Sequence, residues 1–299
     1  MFFPFPSSTI LRATAVSWLC GLLLSACGEE GATARRGGVV SLAPNLTETV
    51  CALGKQEMLT GISDYDDYPP AVLGLPRMGG YLDPNFEKLT LLRPELLLLP
   101  GRHPKVTEFA AQNNIPVLNI DMDSMASILE GIVTLGDALD VKAEAHVLKE
   151  QIEGDMQKLR QRTANLPHPK VLIITTRQPR EMNTLYTAGA DSFVSEVVTL
   201  AGGNGIYANA SQRYLEASKE TVVMEAPEVI LEFHCGEELT LAQQDALIED
   251  WNALPSLPAV RDRRIFIITE SYALRPGPRI IEVAQLIAGL LHPDQLPPP

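Results

Sequence analysis

From residue 39 onward, short apolar runs alternate with stretches in which apolar residues recur every three or four positions. The runs at 39–43, 58–63, 96–99 and 115–120 predict strands, and the periodic stretch at 124–139 predicts a helix. The run at 96–99 is apolar at every position, which is typical of a strand buried on both faces. Strands that alternate with helices indicate a parallel α/β sheet.

The first predicted strand is followed by a helix whose start and end are marked by residue type. Asn45 is a favoured N-cap residue, and Glu48 stands three positions later, as in a capping box. Gly54 is typical of a helix end. We therefore expect Asn45 to cap this helix.

The middle of the chain carries one long apolar stripe. Six apolar residues between 141 and 166 recur at intervals of three and four: Val141, Ala145, Leu148, Ile152, Met156 and Leu159. A helix over this stretch would be roughly 39 Å long. Pro167 and Pro169 end it. A coiled coil is the alternative, but the stretch is too short to favour it strongly.

The alternation of strands and helices starts again after the long helix. Further strands are predicted at 170–175, 228–233 and 264–269, and further helices at 191–201, 218–225, 241–254 and 278–291.

The two halves of the chain also share a local pattern. Glu87 precedes Pro94 by seven residues, Glu220 precedes Pro227 by the same spacing, and each Pro leads through a Glu into an apolar run. Each copy reads as a short helix that ends at a proline before a buried strand. The predicted fold is therefore two α/β lobes, each with a mainly parallel sheet, joined by the long helix and enclosing a ligand cleft.

Composition excludes several classes of protein. The chain has 299 residues, 24 Lys and Arg against 37 Asp and Glu, a net charge of −13, and 45% hydrophobic residues. This hydrophobicity supports a sizeable core and argues against disorder. An acidic excess without a basic run argues against nucleic acid as a partner. No second long apolar stretch follows the N-terminal one, which excludes a multi-span membrane protein.

The N-terminus has the pattern of an export signal. Arg12 is the only charged residue among the first 26, a largely apolar run covers 13–24, and Leu-Ser-Ala-Cys27 resembles the lipobox of bacterial lipoproteins. We expect Cys27 to be lipidated, which would anchor an extracytoplasmic body to a bacterial membrane at the periplasm or the cell surface. An ordinary signal peptide is the alternative. Of the remaining cysteines, Cys51 and Cys235 follow Cys27, and whether they pair stays open.

These patterns predict the organisation of the whole chain. The expected segments are a lipoprotein signal peptide, a lipidated tether, an N-terminal α/β lobe, a linker helix, a C-terminal α/β lobe and a tail, at 1–26, 27–37, 38–140, 141–167, 168–292 and 293–299.

Enzymatic motifs are missing from the sequence. It has no Gly-x-Ser-x-Gly elbow, no Walker sequence and no His-Glu-x-x-His pair, so we expect no catalytic residues. His234 and Cys235 follow a predicted strand, where they suit either a soft metal site or a histidine that lines a cleft beside a small apolar cysteine. An extracytoplasmic metal-dependent hydrolase and a purely structural lipoprotein are the alternatives from other classes.

Aromatic residues give the stronger indication of function. Five of the seven tyrosines fall in predicted loops at strand ends or before helices: Tyr65, Tyr81, Tyr186, Tyr214 and Tyr272. Rings around one cleft suit a large, partly apolar ligand, and their hydroxyls can bond its polar edges. Arginines in similar positions could meet carboxylates or phosphates of a ligand: Arg102, Arg177 and Arg275. Solvated surface residues are the alternative for both sets.

Several segments resemble the Fe/B12-type substrate-binding proteins of ABC importers. The resemblance spans about 38–292 and is carried by VVSLAPNLTE at 39–48, GISDYDDYPP at 61–70, PNFE at 84–87 with RPE at 93–95, AGG at 201–203, Trp251 with Leu-Pro at 254–255, and GPR at 277–279. It implies a two-lobed binding protein with one rigid linker helix, which works as a monomer with a permease and its ATPase. It also implies that Glu87 and Glu220, one on each lobe, dock onto arginines of the permease.

The resemblance also bears on the ligand. Family members that bind a corrinoid line their pocket with aromatics and an arginine, and the matching positions here are Tyr65, Tyr81, Tyr186, Tyr214 and Arg275. Ser271 stands near a position that is acidic in such members. We therefore expect cobalamin or another metal chelate as the bound ligand, with no covalent cofactor. A ferric siderophore or haem remains the alternative, and Tyr81 or His234 could serve haem as an axial ligand.

Overall fold

The structure is a computed structural model that describes residues 37–180, 182 and 184–296. The predicted signal peptide, Cys27 and the last residues of the predicted tail lie outside this part of the chain. None of the described helices is long and apolar enough to cross a membrane.

The first half of the described chain is built on a four-stranded parallel sheet. Its strands are β1 (Val39–Ser41), β2 (Leu59–Gly61), β3 (Leu96–Pro100) and β4 (Val117–Ile120), in the order β2-β1-β3-β4. Its helices are α1 (Pro44–Ala52), α2 (Phe86–Leu92), α3 (Pro104–Gln112) and α4 (Met125–Ala138). Short 3-10 helices cover Gln56–Met58 and Pro70–Val72.

Helix α5 (Lys142–Thr163) follows and corresponds to the predicted long helix. Its buried residues include Ala145, Ile152, Met156 and Leu159, which confirms the apolar stripe. The helix packs on α4 from the first half and on α6 and α10 from the second, which are defined below. One hydrophobic cluster therefore runs through α1, α4, α5, α6 and α10 and joins the two halves.

The second half is built on a six-stranded mixed sheet. Its strands are β5 (Lys170–Arg177), β6 (Leu185–Ala188), β7 (Asn204–Gly205), β8 (Tyr214–Ala217), β9 (Val229–Phe233) and β10 (Ile265–Ile268). Its helices are α6 (Phe193–Leu200), α7 (Lys219–Glu225), α8 (Leu241–Asp250), α9 (Pro258–Arg261) and α10 (Ile280–Leu291), with a 3-10 turn at Trp251–Ala253.

The two sheets share a parallel framework. In the first, β1 pairs with β2 and β3, and β3 pairs with β4. In the second, β5 pairs with β7 and β9, and β9 pairs with β10. The helices α2 and α7 lead into the equivalent strands β3 and β9. The repeated Glu-to-Pro pattern therefore marks equivalent places in two lobes that share this parallel framework, as expected from the sequence.

The second lobe departs from the first by an antiparallel addition. Strand β6 pairs antiparallel with β5, and β8 pairs antiparallel with β6. Tyr186 lies inside β6 and Tyr214 begins β8, so the prediction that both tyrosines lie in loops is wrong. These four-residue strands are too short and too polar to stand out as apolar runs.

The buried strands follow the pattern that their sequence predicts. Leu97 and Leu99 of β3 pack in one hydrophobic cluster, whereas Leu98 packs in the cluster on the opposite face of the sheet. All three side chains are 0% exposed. Continuous apolar sequence thus covers both faces of a strand in a parallel sheet.

Candidate functional site

A cavity of about 320 Å³ lies between the two lobes. It is lined from the first lobe by residues that follow β1, end β3, follow β4 or precede α2, and from the second by residues of α6, β8 and the loop after β10. These residues are Ala43, Pro44, Asn45, Tyr81, Pro100, Asp123, Phe193, Tyr214, Leu274, Arg275 and Pro276. The first sheet thus contributes its carboxyl edge, where parallel α/β sheets bind ligands.

Two other cavities are larger but less suited to be the site. One of about 430 Å³ is lined by residues that precede β5, β9 and β10, and one of about 500 Å³ by residues that precede β3 and β4. Both lie at amino ends of strands, and neither brings the two sheets together. We therefore take the cavity between the lobes, called the cleft below, as the candidate site.

Aromatic rings line the cleft from both lobes. Tyr81 comes from the first lobe, and Phe193 and Tyr214 come from the second. The ring of Tyr81 packs on His103, with 4.7 Å between the centroids. Burial raises the pKa of Tyr214 to about 12, and the charge of Asp123 acts in the same direction. Its hydroxyl therefore stays protonated at neutral pH and can donate a hydrogen bond.

Arg275 reaches the cleft but already has partners in the first lobe. Its guanidinium bonds to both carboxylate oxygens of Asp67, to the carboxylate of Glu48 at 3.2 Å, and to the backbone carbonyl of Tyr65 at 3.3 Å. Burial favours a raised pKa for Asp67, but the hydrogen bonds from Arg275 and Ser271 outweigh it and hold the pKa below its usual value. The positive charge of Arg275 is thus compensated within the protein.

A second arginine strengthens the same contact between the lobes. Arg279 forms a bidentate ion pair with Glu48, with Nε–Oε2 at 2.8 Å and Nη2–Oε1 at 2.6 Å. Its guanidinium also lies over the rings of Tyr68 and Tyr272, at 4.3 and 4.7 Å from their centroids. Glu48 is only 3% exposed. One buried carboxylate of α1 is therefore held by two arginines of the other lobe.

This arrangement corrects the predicted helix cap. Helix α1 starts at Pro44, its N-cap residue is Ala43, and no side chain caps it. Asn45 instead donates from Nδ2 to the carbonyl of Pro276 at 3.0 Å. Pro44 suits the first helical position because it has no N–H group to satisfy there. The side chains of Asn45 and Glu48 both bond to the other lobe.

A third contact crosses between the lobes at a more open position. Asp123, which follows β4, accepts from Arg213 at 2.6 Å, and the two side chains are 49% and 39% exposed. The backbone N–H of Phe193 donates to the carbonyl of Asp123 at 2.8 Å. This pair lies beside the ring of Tyr214, since Asp123 and Tyr214 both line the cleft.

Several predicted ligand residues lie near the cleft without lining it. Tyr65 is 61% exposed and its ring covers Gly80, next to Tyr81. Tyr186 shares a face of the sheet with Tyr214, because Tyr186 pairs with Glu216 and the neighbouring Ala188 pairs with Tyr214. Tyr272 packs against Arg279.

Arg102 is exposed and follows β3 beside His103 and Pro100. Among the described contacts it has no ion-pair partner. Arg102 thus lies near the edge of the first sheet that contributes to the cleft. Its charge is not compensated by a described carboxylate.

Arg177 was expected at the ligand and instead lies inside the second lobe. Its side chain is 0% exposed, with Nε 2.8 Å from Glu232 and Nη1 2.9 Å from Asp250. Its guanidinium also lies 5.8 Å from the ring centroid of Trp251. Glu232, which is 0% exposed, needs this charge, so Arg177 is not available to a ligand in this arrangement.

His234 belongs to the same internal network. Its ring nitrogens lie 2.9 Å from Glu232 and 3.1 Å from Glu237. The hydrogen bond with Glu232 raises the pKa of His234 although burial opposes this. Within the described part of the chain, no group of three or more His, Cys, Asp or Glu residues is arranged to hold a metal ion.

The two described cysteines are free and partly buried. Burial, together with nearby carboxylates, raises the pKa values of Cys51 and Cys235 to about 12. Both thiols are therefore protonated at neutral pH and are poor nucleophiles.

The two predicted docking glutamates occupy equivalent places on the lobes. Glu87 is the second residue of α2 and Glu220 is the second residue of α7, and both are exposed. Asn85 and Ser218 cap these helices through their side chains. Neither glutamate forms an ion pair with another residue in the described ranges.

Sequence reasoning missed some residues that line or close the cleft. Asp123, Phe193 and His103 were not singled out, and Glu48 was assigned a local role. A weak signal existed for Asp123 alone, which lies between a predicted strand and the helix that Ser124 caps. The other three need the second lobe, or a packed neighbour, to reveal their role.

The chain belongs to the periplasmic binding protein family, whose profile matches residues 39–272. It is 30% identical over 261 residues to a vitamin B12-binding protein of Photorhabdus laumondii, covering 85% of this chain and 87% of that protein. The fold is similar to that of a periplasmic vitamin B12 binding protein of Vibrio cholerae, with a TM-score of 0.69, 24% identity, and coverage of 85% and 95% of the two chains.

The fold is also similar to that of a haem-binding protein. A periplasmic haem binding protein of Vibrio cholerae matches with a TM-score of 0.75 and 23% identity over 87% of this chain and 100% of that chain. The protein is thus a two-lobed periplasmic binding protein of the ABC importers and works outside the cytoplasm. It binds a substrate and does not transform it.

Proposed function

We propose that the protein captures a corrinoid, cobalamin itself or a close relative, and delivers it to an ABC permease and its ATPase. The observation that carries this proposal is the chemistry of the cleft, which combines aromatic rings from both lobes with charges that are already compensated. The relatives named as vitamin B12-binding proteins support the same ligand class. Glu87 and Glu220 are the proposed docking points on the permease.

The charge balance favours a corrinoid over the alternative chelates. Three carboxylates and three arginines meet at the lobe contacts: Glu48, Asp67, Asp123, Arg213, Arg275 and Arg279. Haem carries propionates and a catecholate siderophore complex carries net negative charge, so either would require an unpaired cation inside the cleft. Arg275, the arginine that lines the cleft, is already paired, and the uncompensated Arg102 lies outside the lining. The periphery of a corrin ring is rich in neutral amides, which bond to tyrosine hydroxyls and backbone groups without a spare charge.

The proposed ligand residues follow from this geometry. Tyr81, Tyr214 and Arg275 line the cleft, and Tyr65, Tyr186, Tyr272 and Arg102 lie around it. Arg177 and His234 are left out of the proposed set because their side chains bind Glu232. A corrinoid is larger than a cavity of about 320 Å³. The cleft mouth must therefore widen when the ligand enters.

The proposed setting is a membrane surface. The Leu-Ser-Ala-Cys27 sequence supports lipidation of Cys27, followed by a polar tether that leads into β1. The protein would then act as an anchored monomer, with the permease within reach of the tether. Mass spectrometry of the mature protein tests this point, because lipidation would leave an acylated Cys27 as the N-terminal residue.

Calorimetric titration of the purified protein with cyanocobalamin tests the ligand, with haemin and a ferric siderophore as parallel titrants. We expect saturable one-to-one binding of cyanocobalamin at micromolar affinity or tighter. Binding of haemin or the siderophore without cobalamin would keep the transport role and change the cargo. No binding of any of the three would contradict the proposal.

Substitution of the cleft tyrosines tests the site. Tyr81→Ala and Tyr214→Ala should each weaken cyanocobalamin binding by at least ~1 kcal/mol, because each removes an aromatic contact. Tyr81→Phe and Tyr214→Phe are matched controls that keep the ring and remove only the hydroxyl. Unchanged affinity in both alanine variants would place the ligand elsewhere.

A further inference from the structure

Each lobe exposes a large apolar side chain one helical turn after its predicted docking glutamate. Leu91 of α2 is 68% exposed and Met224 of α7 is 74% exposed. Most of the apolar surface of both side chains is therefore left in contact with water, which is unfavourable. Their occurrence at one equivalent place on both lobes requires a reason.

The two helices match at the positions that set their orientation. Each has seven residues, a polar N-cap, a glutamate at its second position and a residue with left-handed backbone at its C-cap. The fourth position holds Leu89 in α2 and Val222 in α7, and both are 0% exposed. The sixth position holds Leu91 and Met224. The helices are thus fixed to their lobes by one face and present the same opposite face to solvent.

The glutamate and the apolar residue lie on one face of each helix. Glu87 and Leu91 are four residues apart, as are Glu220 and Met224, and residues at this spacing are neighbours on a helix surface. Lys88, which follows Glu87, donates from Nζ to the carbonyl of Arg77 at 2.8 Å and is held there. Each face therefore presents one uncompensated carboxylate beside one apolar side chain.

We infer that Leu91 and Met224 are the apolar anchors of the docking surface and that the occupant is a permease made of two like subunits. This inference rests on the proposed function and deepens it. Exposed ion pairs alone contribute little to association, whereas removing an apolar side chain from water contributes through the area it buries. Each permease subunit would thus offer a basic group for the glutamate and an apolar depression for the anchor.

The choice of occupant follows from the repetition. Two surfaces with the same charge and a similar apolar group, at equivalent places on lobes that share a parallel framework, fit a partner that repeats its own surface twice. A single asymmetric partner would meet two unrelated contacts and would not need the match. A second copy of this chain is disfavoured, because its docking faces carry the same negative charge.

Docking to the permease of the protein's own organism, reconstituted with its ATPase in nanodiscs, tests the inference. The variants are Leu91→Gln, Met224→Gln and the double variant, with Val147→Gln on α5 and Leu241→Gln on α8 as matched controls. Val147 and Leu241 are 65% and 79% exposed and lie on other elements. All five variants should keep the wild-type thermal midpoint and cyanocobalamin affinity, since only exposed side chains change.

We expect the double variant to weaken docking at least tenfold and to lower ATPase stimulation, with the controls within twofold of the wild type. The two single variants should weaken docking by similar factors if the permease subunits are alike. A loss confined to one single variant would overturn the assignment of two like subunits.

Comparison with Glu87→Ala and Glu220→Ala separates this inference from the proposed function. If those variants lose docking while the double glutamine variant docks normally, the anchor role is wrong and the docking role of the glutamates stands. If the wild-type protein binds no ABC permease of its organism, the proposed function and the inference both fail.

Discussion

Glu48 and Glu232 are both buried glutamates, but one forms its ion pairs between the lobes and the other within a single lobe. Glu48 is 3% exposed and Glu232 is 0% exposed, and each is paired with arginine. All three partners of Glu232 come from its own lobe: Arg177, His234 and Trp251. The charged partners of Glu48 come from the other lobe: Arg275 and Arg279.

The two glutamates differ in what must form before their partners come together. A buried charge costs several kcal/mol of desolvation, and that cost is offset only where all its partners are in place. For Glu232 the folding of the second lobe alone brings the partners together. For Glu48 the two lobes must also take the arrangement seen here. Substitution of Glu232 thus tests the stability of one lobe, and substitution of Glu48 tests how the two lobes are arranged around the cleft.

The largest effect is expected for Glu232→Ala. Among the described residues it would leave Asp250 as the one remaining carboxylate paired with the buried guanidinium of Arg177, and it would remove the acceptor of the Trp251 indole N–H. We expect a loss of about 3–5 kcal/mol in the free energy of unfolding, measured by urea denaturation. Glu238→Ala is the control, since Glu238 is exposed, and should change the free energy of unfolding by no more than about 0.5 kcal/mol. A loss similar to that of the control would mean that the network is not stabilising.

A smaller effect on stability, with a change in shape, is expected for Glu48→Gln. The variant keeps the volume and loses the charge that faces Arg275 and Arg279, so we expect a loss of about 1.5–3 kcal/mol in the free energy of unfolding. Small-angle scattering should show a wider separation of the lobes. Glu57→Gln on the exposed 3-10 turn is the control. Wild-type scattering and stability together would show that Glu48 does not hold the lobes.

The Glu232 network should also make stability depend on pH. The hydrogen bond with Glu232 raises the pKa of His234 above its ordinary 6.5, with Glu237 adding to the effect and burial opposing it. A raised pKa in the folded state means that the stabilisation is fully present below 6.5 and is lost as pH rises through the folded value. Urea unfolding should therefore show a greater loss from about pH 6 to about pH 8 in the wild type than in His234→Gln. An NMR titration that places the pKa of His234 below 6.5 would contradict this.

The smallest effect on stability is expected for Arg213→Ala. Its pair with Asp123 crosses between the lobes but is exposed, so its removal should cost at most about 1 kcal/mol. Because this pair lies at the cleft, we expect faster association of cyanocobalamin by stopped-flow, and a similar gain for the wild type in high salt. Lys142→Ala removes an exposed pair with Asp137 away from the cleft and is the control. Equal association rates for the wild type, Arg213→Ala and Lys142→Ala would show that the Arg213–Asp123 pair does not slow entry of the ligand.

The fold followed from the sequence wherever a local pattern was sufficient. The strand at 96–99, the stripe of α5 and the repeated Glu-to-Pro spacing each depend on neighbours within a few turns of the chain, and the structure confirms them. The strands β6 and β8 were missed because four mixed residues carry little periodic signal. Tyr186 and Tyr214 were therefore placed in loops, although both were identified as candidate ligand residues.

The roles of charged side chains were predicted less well from the sequence. Arg177 and Arg275 both come near the end of a strand or just after one, and the sequence predicted both at the ligand. Arg177 turns into the lobe because Glu232, 55 positions later in the chain, is buried beside it. Arg275 lines the cleft because Glu48 and Asp67 of the other lobe approach it.

The sequence by itself determined most of the elements, the two similar lobes and the helix between them, because hydrophobic periodicity is a property of residues close together in the chain. Only the tertiary structure decided which charges meet. Ion pairs such as Glu48 with Arg279 join residues far apart in the chain, and their geometry exists only after both lobes have folded and packed on α5. The charge of the cleft, and with it the kind of ligand that the cleft can bind, is therefore set only when the two lobes have packed together.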